Sequence, residues 1–303
     1  MSLELVQVPP ASPPVVYSTE TLGRPIQGPG ALSNDWRRFW HLTYNIARSE
    51  WKLRFFGSAL GYLWQLMRPL LLFGVLYVFF TKISHVGAGQ GPSYDFYGTQ
   101  LLGSIVLFTF FAEATTGAVR SVVDREPLVR KIQFPRLVIP LSVVLLAGFN
   151  LGLNLIVVIV FGLIEGVRPM LSWLELPLIV ALLAFFATGL AMLLAALFVY
   201  FRDMQPIWDV VTQVVFYASP VIIPVTEVLK QLGPTALHLY MLNPLAVVMQ
   251  QYRHAMVNHA TPSAAACLGG TAHLIEPVVI VGALFALGFY VFNRTAPYVA
   301  ENL

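Results

Sequence analysis

The side chains that could hold a metal ion or bind a nucleotide phosphate are few in this sequence. Neither a GxxxxGK[ST] phosphate-binding loop nor an HExxH motif is present, and Cys267 is the single cysteine. The spacings of the six histidines match no standard ligand pattern. They are His41, His85, His238, His254, His259 and His273. We therefore predict no metal site and no cofactor on this chain, and any energy from ATP must arrive through another polypeptide.

The acidic side chains raise one catalytic alternative, a membrane-bound transferase acting on lipid-linked sugars. Such an enzyme needs acid, base or nucleophile residues that converge at one face of the membrane. The candidates are scattered along the chain instead. They are Glu165, Glu175, Asp209, Glu227 and Glu276. We predict that the chain has no catalytic residues of its own.

Polar residues inside apolar stretches are rarer and more informative. Glu113 and Arg68 both lie toward the cytoplasmic side of their predicted spans, so we hypothesise that they form an ion pair. The alternative is that each side chain extends independently to the headgroup layer. Asn150 and Asn154 are one helical turn apart, and we expect them to bond across helices.

The elements that carry these residues are membrane spans. The chain of 303 residues is 57% hydrophobic and 11% charged, with a mean hydropathy of +0.72; soluble domains carry about 25% charged residues. We predict an all-α integral membrane protein with six transmembrane helices, each with enough apolar residues to cross the hydrocarbon core. The predicted spans are Leu60–Ile83, Phe96–Val119, Leu137–Ile164, Trp173–Phe201, Ile207–Ile223 and Pro277–Phe292, within a transmembrane domain over residues 57–303.

Basic residues predict the orientation of these spans. With the N-terminus inside, fourteen of the 18 Lys and Arg residues lie on the cytoplasmic side. Both termini are therefore predicted to be cytoplasmic, in the inner or plasma membrane. Residues 1–33, rich in Pro, Gly and Ser, are expected to form a flexible cytoplasmic tail.

An amphipathic interface helix is predicted over residues 34–56. Aromatic residues recur at spacings of three and four, and basic residues occupy the other faces. Such a helix suits the headgroup layer, where Arg37, Arg38 and Arg54 could bind lipid headgroups or a lipid pyrophosphate. A soluble helix packed on a partner subunit would use the same face.

The segment of residues 219–256 is too polar and too often broken by proline to span a bilayer, yet it contains short apolar pieces. Irregular backbone at membrane depth survives only where protein buries it or where it lines a cavity. We predict external re-entrant gate helices between spans five and six; an ordinary external loop is the alternative. Aromatic rings stack on sugars, so a polysaccharide path could be lined by some of the many rings. The candidates are Tyr77, Phe108, Phe216 and Tyr217.

Several stretches together resemble the permeases of type-2 ABC transporters that export lipid-linked polysaccharides such as O-antigens, teichoic acids and galactan. The segment KLRFFGSALGYLWQLMRPLL resembles the start of their first span. KIQFPR resembles the loop that contacts the ATPase, and FRD, SPVIIP and NP follow in the family's order. The matching positions include Gly61, Trp64, Pro69, Arg202 and Asp203, with Ser219, Pro220, Pro224, Asn243 and Pro244 in the external gate.

This resemblance implies a homodimer with two ATP-binding-cassette subunits, which bind ATP and Mg²⁺, and a polyprenyl-pyrophosphate-linked polysaccharide as substrate. Membrane lipids are the other expected partners, and no nucleic acid is expected. The resemblance also implies a coupling loop to the ATPase. Its residues are Asp124, Arg125, Leu128, Arg130, Lys131, Phe134, Pro135 and Arg136. The same fold exporting a small hydrophobic compound is the remaining alternative.

Overall fold

The computed structural model describes residues 35–55, 61–83, 94–127 and 134–296, and within these ranges the regular structure is helical with no strand. The predicted tail and the coupling residues Leu128, Arg130 and Lys131 lie outside the described residues. The side chains of Phe55, Tyr62, residues 226–232 and Pro234 also lie outside them.

Eleven α-helices in the described ranges are numbered in chain order. They are α1 Trp36–Phe55, α2 Gly61–Val78, α3 Tyr97–Val119, α4 Ser121–Asp124, α5 Val138–Glu165, α6 Leu176–Tyr200, α7 Met204–Ala218, α8 Val225–Met241, α9 Pro244–Tyr252, α10 Ala264–Leu268 and α11 Ile275–Thr295. Short π-helical turns follow α2 and α9, at Phe79–Ile83 and Arg253–Val257, and 3₁₀ turns precede α6 and α11, at Leu171–Glu175 and Thr271–Leu274.

Five helical stretches are long and apolar enough to cross a membrane among the described residues. They are Leu63–Ile83, Tyr97–Val119, Val138–Glu165, Leu171–Tyr200 and Thr271–Thr295. The predicted fifth span, Ile207–Ile223, is not confirmed. In its place α7 has 15 residues and is about 22 Å long, against a hydrocarbon core of about 30 Å. The turn Ser219–Pro224 ends this helix early because Pro220 and Pro224 cannot continue the backbone hydrogen-bond ladder.

The core lies around α3, the most buried of the five spans. It packs against α2, α5, α6 and α7. The amphipathic helix α1 lies along α5, and it buries Phe39, Thr43 and Ala47 at a spacing of four residues. Trp36 and Trp40 of the same helix remain more exposed, as expected for rings at a membrane interface.

The short helix α7 and the turn that follows it run along α3 in the opposite direction. Near the start of α7, the indole Nε1 of Trp208 donates to Thr115 Oγ1 at 3.1 Å, close to the C-terminal end of α3. Beyond its end, the carbonyl of Ile222 accepts from the Tyr97 hydroxyl at 3.0 Å, at the N-terminal end of α3. The turn after α7 therefore lies at the same end of the bundle as the start of α3.

The backbones of α6 and α11 approach each other closely at two glycines. A Cβ atom at Gly288 would lie 2.1 Å from the carbonyl oxygen of Gly189, and one at Gly189 would lie 2.7 Å from Cα of Phe285. Small residues at such a crossing allow the two backbones to touch, which is the main source of packing energy between helices in lipid. The two glycines therefore fix the position of the last span.

This crossing predicts that Gly288→Ala lowers thermal stability, since the methyl group meets backbone that cannot rotate away. Overpacking of this kind costs about 1–3 kcal/mol. Gly282→Ala is the matched control in the same helix, because a Cβ at Gly282 has no atom within 4 Å. Thermal unfolding of the purified variants measures the difference; equal midpoints for the two variants would contradict the packing described.

Candidate functional site

The turn Ser219–Pro224 is held by side chains from distant parts of the chain. Arg253 Nη2 donates to the carbonyls of Pro220 and Val221, the latter at 3.1 Å. The Tyr97 hydroxyl donates a hydrogen bond to the carbonyl of Ile222. In addition, Asn243 Nδ2 donates to Ser219 Oγ at 3.1 Å. The backbone groups that the prolines leave without helical partners are thus satisfied by α3 and by the segment after α7.

Arg253 is the charged centre of this arrangement. It is only 2% exposed, and burial lowers the pKa of its guanidinium to about 10, with the Tyr240 hydroxyl opposing that shift. The group therefore stays charged at neutral pH. Burying a charge is costly, and carbonyl oxygens of the turn supply part of the compensation. Arg253 is not among the gate residues predicted from the sequence, so this role was missed.

The rest of the predicted gate consists of α8 and α9, which together are called the cap. Gly233, with φ 77°, breaks α8 into two pieces, and Asn243 caps α9 by accepting from the backbone NH of Leu245 at 3.0 Å. The cap is fastened to the bundle by the Tyr252 hydroxyl, which donates to the carbonyl of Thr99 at 3.0 Å. Ser219, Pro220, Pro224 and Pro244 are buried and Asn243 is half-buried. The described part of this segment is therefore packed helix and turn, unlike a solvated loop.

A polar cavity of 650 Å³ lies near the opposite end, between α2, α3 and α5. Two of the predicted family positions, Gly61 and Trp64, line it together with Arg54, Gln65, Arg68 and Glu113. Pro69, the third family position in α2, is buried in the following turn. The cavity combines cations, an indole ring and a carboxylate, which are groups suited to a charged polar headgroup.

The hypothesis of an ion pair between Arg68 and Glu113 is wrong for the described residues. The Glu113 carboxylate instead accepts from Gln65 Nε2 and from Asn150 Nδ2, both at 2.9 Å. Gln65 precedes Arg68 by almost one helical turn, so it occupies the position beside the carboxylate while Arg68 stays exposed on the cavity wall. The cross-helix bond predicted for Asn150 is confirmed. The prediction for Asn154 is wrong, because its Nδ2 donates to the Asn150 carbonyl within α5.

The structure separates the three arginines predicted to contact lipid. Arg54 lines the polar cavity with Arg68. Arg37 and Arg38 lie in the first turn of α1, where their backbone NH groups bond to the Asp35 carboxylate at 3.1 and 3.2 Å. A helix rises about 1.5 Å per residue, which places them about 25 Å from Arg54. They cannot bind the same phosphate group as Arg54.

Some of the residues predicted to form the coupling loop are described by the structure, and they include both buried and exposed positions. Phe134 and Arg136 are buried, and Phe134 packs in a cluster with Phe39. Arg125 forms an ion pair with Glu50 of α1 and also donates to the Ile139 carbonyl. Asp124 is exposed, and Pro135 is half-buried. Glu50 was missed by the sequence interpretation, because its partner lies 75 residues away.

The turn between α6 and α7 carries the family positions Arg202 and Asp203. Both are exposed, and the guanidinium of Arg202 lies 5.5 Å from the centre of the Phe198 ring. A cation over an aromatic face is a weak but oriented contact. The turn lies at the same end of the bundle as the polar cavity, since Met204 packs near Val119 and Val123.

The four candidate channel aromatics have different surroundings. Phe108 is buried and packs edge-to-face on Phe216, with ring centroids 4.9 Å apart. Tyr77 is half-buried against Phe73. Tyr217, beside Phe216, is 71% exposed on the outer surface of α7. Tyr217 is thus the most accessible of the four to a passing molecule.

The buried contacts of Arg253 predict a large effect of Arg253→Met on stability. The change leaves the carbonyls of Pro220 and Val221 without donors, and an unsatisfied buried group costs about 1–3 kcal/mol. Arg253→Lys keeps the charge but loses the forked geometry of the guanidinium, so we expect an unfolding midpoint between those of the unmodified chain and Arg253→Met. Arg168→Met, at an exposed position, is the control. Thermal unfolding in detergent measures all three; an Arg253→Met midpoint equal to that of the control would show that the turn does not depend on Arg253.

The chain was compared with known proteins. Residues 41–257, from α1 to the end of the cap helices, match the ABC-2 type transporter family. The chain is 28% identical over 214 residues to the O-antigen export system permease protein RfbA of Klebsiella pneumoniae, which covers 70% of this chain and 79% of that protein. It is 29% identical over 223 residues to the RfbA permease of Myxococcus xanthus, covering 74% and 83% respectively. The chain therefore belongs to the ABC-2 type transporter family, as a multi-pass inner membrane permease whose ATP hydrolysis is carried by a separate subunit.

Proposed function

We propose that this permease exports a lipid-linked polysaccharide from the cytoplasmic side of the membrane. The observation that carries this proposal is the similarity to O-antigen export permeases over 70% or more of the chain, in two distant bacteria. The family match over residues 41–257 includes both the residues of the polar cavity and the Ser219–Pro224 turn. The substrate is a polymer on a polyprenyl pyrophosphate carrier, and the permease works as a homodimer with two ATP-binding-cassette subunits that bind ATP and Mg²⁺.

The cavity lined by Arg54 and Arg68 is the proposed entry site for the pyrophosphate. Guanidinium groups bind phosphate oxygens through two parallel hydrogen bonds. The cavity lies beside α2, whose outward residues Leu71, Leu72 and Val75 are exposed, so a prenyl chain can stay in lipid while the head enters. Arg37 and Arg38 then serve as contacts for anionic membrane lipids at the other end of α1.

The proposed path runs along α7 in the seam between two protomers. All 15 residues of α7 are at least partly exposed, which leaves its outer face available to a partner or to the polymer. The course of α7 and its following turn along α3 supports a sixth crossing. With an even number of crossings both termini lie on the same side of the membrane, which the distribution of basic residues predicts to be the cytoplasm. The cap formed by α8 and α9 is then the external gate, and Tyr217 is the ring best placed to stack on sugars.

ATP-driven movement is proposed to reach the spans through the contact between α1 and the connection after α3. Arg125 and Glu50 join these two elements, with side chains only 17% and 32% exposed. A push on the inner connection is therefore transmitted to the interface helix as well as to α5.

This coupling predicts that Glu50→Arg and Arg125→Glu each reduce ATP-dependent export several-fold, and that the double charge swap restores more than half of it. Export of lipid-linked glycan per ATP hydrolysed is the quantity to measure. The matched control is Arg48→Glu, a charge reversal at an exposed position of the same helix as Glu50, whose effect on export should be small. If the double swap is no better than either single change, the ion pair does not transmit the movement.

Export of a small hydrophobic compound is the second candidate function. One feature favours it, an almost wholly apolar cavity of 760 Å³ between α1, α5, α6 and α11, lined by rings such as Trp40, Phe185 and Phe289. Because this cavity is bordered by exposed lipid-facing surface, acyl chains of the membrane also fit it. The polysaccharide proposal better explains the arginines of the polar cavity.

Depletion of the permease in cells tests the proposal directly. We expect polymer to accumulate on its lipid carrier in the inner leaflet while synthesis continues. Complementation with Arg68→Gln should reduce export about tenfold, since the lost charged hydrogen bonds are worth about 1.5–3 kcal/mol, whereas Arg48→Gln on the neighbouring face of α1 should restore it. Normal surface glycan without inner accumulation would contradict the proposal and leave the small-molecule exporter.

A further inference from the structure

Three side chains converge at the end of the bundle where the cap meets the last span. His238 lies in the last turn of α8, His273 in the 3₁₀ turn before α11, and Glu276 in the first turn of α11. His238 and Glu276 are 38 residues apart in sequence. One ligand atom from each of His238, His273 and Glu276 nevertheless lies within 4.8 Å of the other two.

The Glu276 carboxylate stands between the two imidazole rings. Its Oε2 is 2.8 Å from His238 Nε2, and its Oε1 is 2.7 Å from His273 Nδ1. The rings themselves are edge-to-face, with centroids 5.2 Å apart. Two nitrogens and a carboxylate therefore point toward one small region of space.

The surroundings of His238 point to a cation in that region. Its Nδ1 lies 3.1 Å from the carbonyl oxygen of Leu268, which can only accept a hydrogen bond. A neutral imidazole has a single N–H. If that N–H donates to Leu268, the lone pair of Nε2 faces the lone pairs of Glu276. Either a second proton or a metal ion at Nε2 removes this repulsion.

The contact between His238 Nδ1 and the Leu268 carbonyl is also the kind of contact that usually orients a metal-binding histidine. Ligating imidazoles donate their other N–H to a carbonyl or carboxylate, which fixes the tautomer and orients the ring. In this structure the Leu268 carbonyl has that position relative to His238. The ring is thus oriented with Nε2 directed at Glu276 and His273.

We propose that His238, His273 and Glu276 form a Zn²⁺ site. Two imidazole nitrogens and one carboxylate oxygen are a common three-ligand set for zinc, with water as the fourth ligand. The three side chains are 32%, 49% and 34% exposed, so the open position faces solvent. Mg²⁺ and Ca²⁺ prefer six or more oxygen ligands, and a single carboxylate does not select them.

A small apolar cluster holds the ligands in place. Leu237 and Leu274 are each adjacent in sequence to a ligand, and Leu268 supplies the carbonyl that contacts His238. All three belong to one cluster with Met241 and Ala264. The ligands therefore sit on a fixed base, which lowers the entropic cost of binding. A bound ion ties α8 to α11, and so clamps the proposed gate to the last span.

Metal binding by the purified full-length chain in lipid nanodiscs tests this site. After chelator treatment, equilibrium dialysis against Zn²⁺ should give one ion per chain, unaffected by millimolar Mg²⁺. His238→Gln and Glu276→Gln should each weaken the affinity by about tenfold or more. His259→Gln is the control, because it removes an exposed histidine between α9 and α10 and leaves His238, His273 and Glu276 unchanged.

Co²⁺ provides an independent readout, since a four-coordinate Co²⁺ site absorbs visible light far more strongly than the hydrated ion. We expect this absorption in the unmodified chain and in His259→Gln, and its loss in Glu276→Gln. Absence of stoichiometric Zn²⁺ and of the Co²⁺ absorption in the unmodified chain would overturn the proposal whether or not the variants fold, and would leave a hydrogen-bonded ion network. Binding that survives both ligand changes would also overturn it.

Discussion

The buried guanidinium of Arg253 is the constraint on which the half of the molecule that contains the Ser219–Pro224 turn and the cap depends. Two prolines end α7 early, and the freed carbonyls of Pro220 and Val221 lie where water has little access. In a protein surrounded by lipid such groups must find partners within the chain. Arg253 supplies two of these contacts from a segment 32 residues further on, so the turn and the cap can only form together. The cost of burying this charge is offset in part by the hydrogen bonds that the guanidinium donates to the turn after α7.

The opposite end is organised by polar contacts of a different kind. Glu113 is shared between Gln65 and Asn150, which ties α2 and α5 to α3. Arg68 is not part of this network and stays on the cavity wall. The Glu113 carboxylate therefore forms no ion pair with Arg68, and the guanidinium of Arg68 is available for the proposed phosphate contact. Within one cavity, Gln65, Glu113 and Asn150 hold the helices together while Arg54 and Arg68 form the proposed binding surface.

The sequence predicts the helical class, five of the spans and the interface helix, because apolar length and periodicity are local properties. The partners of polar residues are set by how helices pack, and they were predicted poorly. Arg68 and Glu113 have opposite charges at similar depth, yet Gln65 takes the place beside the carboxylate. His238 and Glu276 meet only because the end of α8 lies beside the start of α11, so their sequence spacing gave no indication of a site. The SPVIIP and NP motifs marked the correct turn and cap, but the arginine that holds the turn lies outside both.

The central claim is that the polymer passes along the exposed face of α7, and cross-linking measures this directly. A photoreactive residue at Tyr217 should form adducts with the glycan in cells that synthesise it, and only while the ATP-binding subunits are active. The same residue at Leu178, equally exposed at 72% against 71% but on α6, should form adducts with lipid alone. Glycan adducts at Leu178, or none at Tyr217 during active export, would contradict the account.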